Sequence, residues 1–281
     1  MKLVRFGPIG EEKPGVIDQQ GAIRDLSSAV PDYMANDISM AAIERIKALD
    51  LAQFPIVTEA ERIGSCIASP PNFYCIGLNY AKHADEAGMA RPTEPIVFNK
   101  ATSSVSGPND AVIIPRNSKK SDWEIELGVV IGKEALYVSE ADALNYVAGY
   151  CIVNDLSERE FQLERNGQWV KGKSAPTFGP LGPWLVTSDE ITDPQTLDLR
   201  LSLNGELIQN SNTNDMIFSV AQIISHLSQF MKLLPGDIIA TGTPSGVGMG
   251  MNPQRFLRAG DLMELEIQGL GRQQQQAVTA D

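Results

Sequence analysis

Asp122-Trp123-Glu124-Ile125-Glu126-Leu127-Gly128-Val129-Val130-Ile131 decides how this chain is read. The run is apolar enough to predict a strand over residues 125–131, yet it carries two carboxylates. In a strand, residues i and i+2 share a face, so Glu124 and Glu126 point the same way. Like charges held side by side raise each other's pKa unless something compensates. A divalent cation is the usual compensator, and hard cations take oxygen ligands. The stretch therefore proposes a metal site on a strand. A third ligand is wanted, and Asp155 is the candidate, since it follows the apolar Cys151-Ile152-Val153 and Asn154 at a predicted strand end. Asp122 is the weaker candidate and is expected to turn outward.

Working outward, other residues bear chemistry. The chain has two histidines. If the segment after Gly77 turns helical, His83 and Glu86 share a face at i,i+3. A carboxylate beside imidazole raises its pKa and fixes its tautomer, which makes a general base. The competing reading is a solvated pair at the start of a surface helix. Arg159 and Gln162 have the same spacing and offer a planar fork and an amide to a common site. Lys171-Gly172-Lys173-Ser174 is not a phosphate-binding loop, because the longer glycine spacing is missing. A lysine there is either solvated or useful beside a metal-bound enolate. Thr241-Gly242-Thr243-Pro244-Ser245-Gly246 forms a turn whose N–H groups and hydroxyls suit a carboxylate. His226 reads as a helix residue near the core or a subunit contact. Cys66, Cys75 and Cys151 form no CxxC and read as structural thiols in a reducing cytoplasm.

At 281 residues, with 43% hydrophobic and 21% charged residues, the chain fits an ordinary globular protein with a sizeable core. Its net charge of −12 disfavours nucleic acid and anionic membranes as partners. No apolar run is long enough to cross a bilayer. No nucleophile elbow and no dinucleotide-binding glycine motif occurs, so a nicotinamide cofactor is not expected.

The elements follow from pattern and punctuation. Short strands and a hairpin occupy residues 1–30, with the turn at Asp18–Gly21, and a helix fits 39–49 with Ser39 as its cap. Pro70-Pro71 marks a boundary, giving a small α+β segment at 1–68 and a larger domain at 69–281. Strands are predicted at 74–77, 94–98, 197–203 and 261–267, with a hairpin turn at Asn204-Gly205. A short helix is expected at 141–150 and a longer one at 218–234. Gln273–Gln276 reads as an exposed strand end. The pattern implies a mixed, β-rich α+β fold and not a doubly wound one.

Together these motifs resemble the fumarylacetoacetate hydrolase family. Gly77-Leu-Asn-Tyr-Ala-Lys-His83-Ala-Asp-Glu86, Asp122-Trp-Glu124-Ile-Glu126, Asn154-Asp155 through Arg159, Gly172-Lys173-Ser174 and Gly242-Thr243-Pro244 occur in the family order. The resemblance implies a catalytic domain with a rolled β-sheet core, a homodimer, and Mg²⁺ or Mn²⁺ held by Glu124, Glu126 and Asp155. It implies His83, Glu86 and Lys173 as catalytic residues and Arg159, Gln162 and Thr243 as substrate contacts. The expected reaction is hydrolysis of a carbon–carbon bond in a 2,4-diketo acid, an acylpyruvate or 2,4-diketo-3-deoxy sugar acid, to pyruvate and a small acid. Ureidoglycolate cleavage, oxaloacetate decarboxylation and enol tautomerisation could use the same site; a non-catalytic, metal-stabilised binding protein is the remote alternative. One departure stands out. Pro176 replaces the aspartate common after Lys173-Ser174, so the loop there is expected to sit differently.

Overall fold

A computed structural model describes residues 1–58, 61–86 and 88–280 of the chain. Its centre is the Ile125–Ile131 strand, all seven residues of which are buried. It pairs antiparallel with Val147–Asn154 on one side and Ile238–Ala240 on the other. Beyond Val147–Asn154 lies Gly179–Thr187, and beyond Ile238–Ala240 lie Phe73–Gly77 and Ile96–Asn99. Lys2–Phe6, Lys13–Ile17 and Ile23–Asp25 extend the same sheet, joined to it by the Lys2–Val186 and Leu3–Leu185 pairings. The N-terminal segment is thus hydrogen-bonded to the large sheet.

A second, five-stranded sheet runs Glu206–Asn212, Asp198–Leu203, Leu262–Ile267, Gly271–Thr279 and Val112–Ile114. Side-chain alternation explains the layers. Ile125, Leu127, Val129 and Ile131 face a core shared with Leu199, Leu201 and Leu203 of the second sheet and with Ile223 and Leu227 of a helix. Val130 and its neighbours Ala148, Cys151 and Val153 face a second core with Leu3, Ile43, Phe73 and Leu185. A strand covered on both faces carries an unbroken apolar run. The carboxylates at its beginning are therefore the exception that needs a cause.

The Val220–Phe230 helix is shorter than the periodicity suggested. Ser219 and Gln222 close a capping box at its start, and Val220, Ile223, Ile224 and Leu227 form its buried stripe. His226 lies edge-on to Phe230, 5.0 Å between ring centres. Met40–Lys47 is helical, with Ser39 accepting from the Ala42 N–H. The Asn204-Gly205 turn forms as expected, with φ of 53° and 81°.

Two expectations fail. Residues 141–150 give one short 3₁₀ turn, Ala143–Tyr146, and then a strand. Local helical spacing there loses to pairing with strands on both sides. Gln273–Gln276 is not a strand end but the interior of Gly271–Thr279. Gln273 and Gln275 point inward and are buried, and Gln273 Nε2 donates to the Ile152 and Gly182 carbonyls. All three cysteines are buried and free. Among the described residues, no helix is long and apolar enough to cross a membrane.

Candidate active site

Strand phase places Glu124 and Glu126 on the face opposite the inter-sheet core. The adjacent strand ends at Asn154, and Asp155 follows it, its N–H bonded to the Glu124 carbonyl at 2.9 Å. One oxygen from each of Glu124, Glu126 and Asp155 lies within 4.8 Å of the others, and all three residues are buried. Asn154 holds the pair of strands in register here. Its Oδ1 accepts from the Glu124 N–H at 3.2 Å, and its Nδ2 donates to Gln275 Oε1 at 3.0 Å.

Cations sit against this cluster. Lys173 Nζ donates to Glu124 Oε2 at 2.6 Å and Asp155 Oδ2 at 2.7 Å. Lys100 Nζ donates to Asp155 Oδ1 at 2.5 Å and to the Leu156 carbonyl at 3.0 Å. Arg159 reaches Glu124 Oε1 through Nη2 at 2.6 Å, Asp122 through Nε at 2.8 Å and Gln162 Oε1 through Nη1 at 3.1 Å. Asp122 thus faces inward, fully buried, correcting the outward assignment. It lies two residues before Glu124 and shares that residue's face, where Arg159 bridges the two, and it pairs with Ser157 in a two-residue ladder. It also accepts from the Gly248 and Met249 N–H groups at 2.7 and 3.0 Å. Sequence reasoning missed Lys100 as well. The available signal was the one that found Asp155: a charge just past an apolar strand, here Ile96–Asn99.

The electrostatics are uneven. Burial opposes charge on Glu124, but Arg159 and Lys173 outweigh it and hold that carboxyl well below the usual range. Glu126 has no such partner. Burial, with Asp155 and Glu124 close by, pushes its carboxyl well above the usual range. Its hydrogen bond comes from the Gly242 N–H, at 2.8 Å to Oε2. That N–H is aimed by a backbone with φ +101°, where a side chain would also strike Asn79 Cβ at 2.7 Å, so the position calls for glycine. Lys173 is driven upward by Asp155 and Glu124 although burial opposes its charge, and it remains an ammonium.

His83 and Glu86 lie on the short Ala81–Glu86 helix, with His83 Nδ1 3.2 Å from Glu86 Oε2. His83 is buried, which removes the solvated-pair reading. The Gly246 N–H donates to both Glu86 oxygens, at 3.0 and 3.2 Å. The turn that sequence assigned to a carboxylate of substrate thus carries a carboxylate of the protein. Thr243 has its hydroxyl donating to the Ile125 carbonyl at 3.0 Å and accepting from Gln209 at 2.9 Å. Lys171 is exposed. After Pro176 the loop has Thr177 at φ 66°, with Thr177 Oγ1 accepting from the Ile113 N–H. One cavity of about 120 Å³ is lined by His83, Glu124, Glu126, Arg159, Gln162, Lys173 and Thr243 together.

The donor set fits a hard divalent cation. Three carboxylates converge, and each oxygen that accepts one hydrogen bond retains a second lone pair. Four buried carboxylates, including Asp122, meet three buried cations, so one carboxyl, Glu126, has no cation of its own.

Residues 72–278 match the fumarylacetoacetate (FAA) hydrolase C-terminal family. A provisionally named hydrolase of Burkholderia multivorans is 58% identical over 276 residues, covering 98% of both chains. The solved structure of fumarylacetoacetate hydrolase from psychrophilic Exiguobacterium antarcticum superposes with a TM-score of 0.87 at 35% identity, covering both chains in full. That of maleylpyruvate hydrolase from Sphingobium sp. SYK-6, in complex with manganese(II) and pyruvate, superposes at 0.83 with 28% identity, again over both full chains. The protein is an enzyme of the fumarylacetoacetate hydrolase family.

Proposed function

We propose that this enzyme hydrolyses a carbon–carbon bond of a 2,4-diketo acid, giving pyruvate and a small carboxylic acid. The observation that carries the reading is that His83, backed by Glu86, opens on the same cavity as Lys173 and two members of the three-carboxylate cluster, Glu124 and Glu126. Glu124, Glu126 and Asp155 would hold Mg²⁺ or Mn²⁺. When bound, the ion supplies Lewis-acid stabilisation of negative charge on the keto-acid oxygens. A relative of the same fold that binds manganese and pyruvate supports this choice of substrate.

The remaining chemistry belongs to the chain. Glu86 occupies Nδ1 of His83, which leaves Nε2 to accept a proton from water. The hydroxide equivalent forms a bond to the C4 carbonyl carbon. Collapse breaks the C3–C4 bond, and its electron pair becomes the enolate of pyruvate. Lys173 spends two of its three N–H donors on Glu124 and Asp155, and the third can meet the enolate oxygen. The proton held by His83 returns to C3. Gln162 accepts from Arg159 through Oε1, which leaves its amide N–H groups for substrate oxygen.

Mass spectrometry of products in ¹⁸O-water tests the reaction type. Acylpyruvates incubated with the Mg²⁺- or Mn²⁺-loaded enzyme should give pyruvate, with one ¹⁸O in the released acid. Turnover without ¹⁸O incorporation, or turnover of oxaloacetate or an enol alone, would replace hydrolysis by decarboxylation or tautomerisation at the same site.

A further inference from the structure

The cavity has two unlike walls. One is the charged floor described above. The other is built from Trp169, Phe98, Leu163, Met89, Ile76 and Leu78. Phe98 and Trp169 meet edge to face, with ring centres 5.2 Å apart. Lys173 Nζ lies over the Phe98 ring, 4.9 Å from its centre. Phe98 therefore joins the charged floor to the apolar wall. Trp169 is seated against the backbone of Gly77. A side chain there would strike its ring at 2.7 Å, so the closeness of this wall depends on glycine. At the rim Met89 and Leu163 are 52% and 44% exposed, apolar surface left uncovered at the mouth of the site.

Charge on the floor is already committed. Arg159 spends Nε, Nη1 and Nη2 on Asp122, Gln162 and Glu124. Lys173 is held by Glu124 and Asp155. Among the described residues lining the cavity, no arginine or lysine is left for a carboxylate at the far end of a substrate. A carboxylate moved from water against this wall would lose its hydration without a counter-ion.

We infer that the wall of Trp169, Phe98, Leu163 and Met89 receives a neutral, apolar acyl group, so the preferred substrates are alkyl acylpyruvates and not distally carboxylated or polyhydroxylated diketo acids. The inference rests on the keto-acid reading of the site and adds to it the chemistry of the distal half. In the cavity the keto-acid end meets the charged floor and the alkyl chain lies along the aromatic pair.

Calorimetric titration of the Mg²⁺-loaded enzyme with 2-oxohexanoate and 2-oxoadipate tests it. The two acids have the same chain length, differ by the distal carboxylate, and cannot be cleaved as diketo acids. 2-Oxohexanoate should bind at least about tenfold tighter. Trp169→Ala should remove most of that preference. Leu163→Arg, at an exposed position where folding is not at stake, should raise 2-oxoadipate affinity severalfold. Equal or tighter binding of 2-oxoadipate by the unaltered enzyme overturns the inference, as does failure of both acids to bind. Cleavage of butanoylpyruvate is measured alongside. If it is hydrolysed while 2-oxoadipate binds as well as 2-oxohexanoate, the inference falls and the hydrolase reading stands. If 2-oxohexanoate is preferred and no acylpyruvate is cleaved, the inference stands and hydrolysis falls.

Discussion

The enzyme contains two networks of carboxylates and cations that look alike on paper. In one, Arg5 and Arg62 hold Glu12, Asp32 and Asp110 between the N-terminal segment and the loop before Val112–Ile114. In the other, Lys100, Lys173 and Arg159 hold Asp122, Glu124 and Asp155, with Glu126 beside them. Each has one more carboxyl group than it has cations. The first is in contact with water: the Arg62 side chain is 26% exposed. Its surplus charge is solvated and screened. In the second, Lys100 and Asp155 are fully buried and Glu126 has no cation of its own. The same ingredients therefore make a clasp in one place and, in the other, a site that a divalent ion would complete. Burial, not composition, separates them.

That contrast can be broken or sharpened by substitution. His83→Ala should lower kcat by about 10²–10⁴-fold, the usual contribution of a general base, while metal affinity measured by calorimetry stays within a few fold. Activity within about tenfold of the unaltered enzyme would remove His83 from that role. Lys100→Met leaves buried Asp155 with Lys173 as its one remaining lysine and should destabilise the metal-free protein by about 3 kcal/mol in urea denaturation, the low end for breaking a buried pair. Arg62→Ala, in the hydrated network, should cost roughly 1 kcal/mol in the same assay. Equal losses for the two would erase the distinction drawn above.

Acid should act on the outer network in a small, signed way. Burial opposes charge on Glu12, but the hydrogen bond from Arg62 and the charge of Arg5 outweigh it and lower its carboxyl. A lowered carboxyl stabilises the folded state above its ordinary value near 4.5, and that contribution is lost as pH falls through the folded value. Melting temperature followed from pH 6 to 3 should therefore decline less steeply in Arg62→Ala, which has less of this contribution to lose.

Much of the site was legible because its residues obey strand and helix phase. Glu124 and Glu126 share a face through the two-residue period, and His83 and Glu86 meet through the helical one. Asp122 and Lys100 were missed for different reasons. Asp122 keeps the two-residue period of Glu124 and Glu126, so its inward turn was there to be read; Lys100 is held by contacts more than fifty residues away in sequence, and its place after an apolar strand is the local sign of it. The fold behaves the same way. The capped helix at Val220–Phe230 and the Asn204-Gly205 hairpin are local and were readable. The Val147–Asn154 strand and the buried glutamines of Gly271–Thr279 depend on neighbouring strands, and local pattern misassigned both.

The decisive measurement is a titration of the metal-stripped enzyme with Mn²⁺, followed by electron paramagnetic resonance, for the unaltered chain and for Glu126→Gln. The account expects one Mn²⁺ bound per chain and at least about a tenfold loss of affinity when the uncompensated carboxylate is neutralised. Absence of binding, or identical affinity in the two proteins, would contradict the assignment of Glu124, Glu126 and Asp155 as a metal centre.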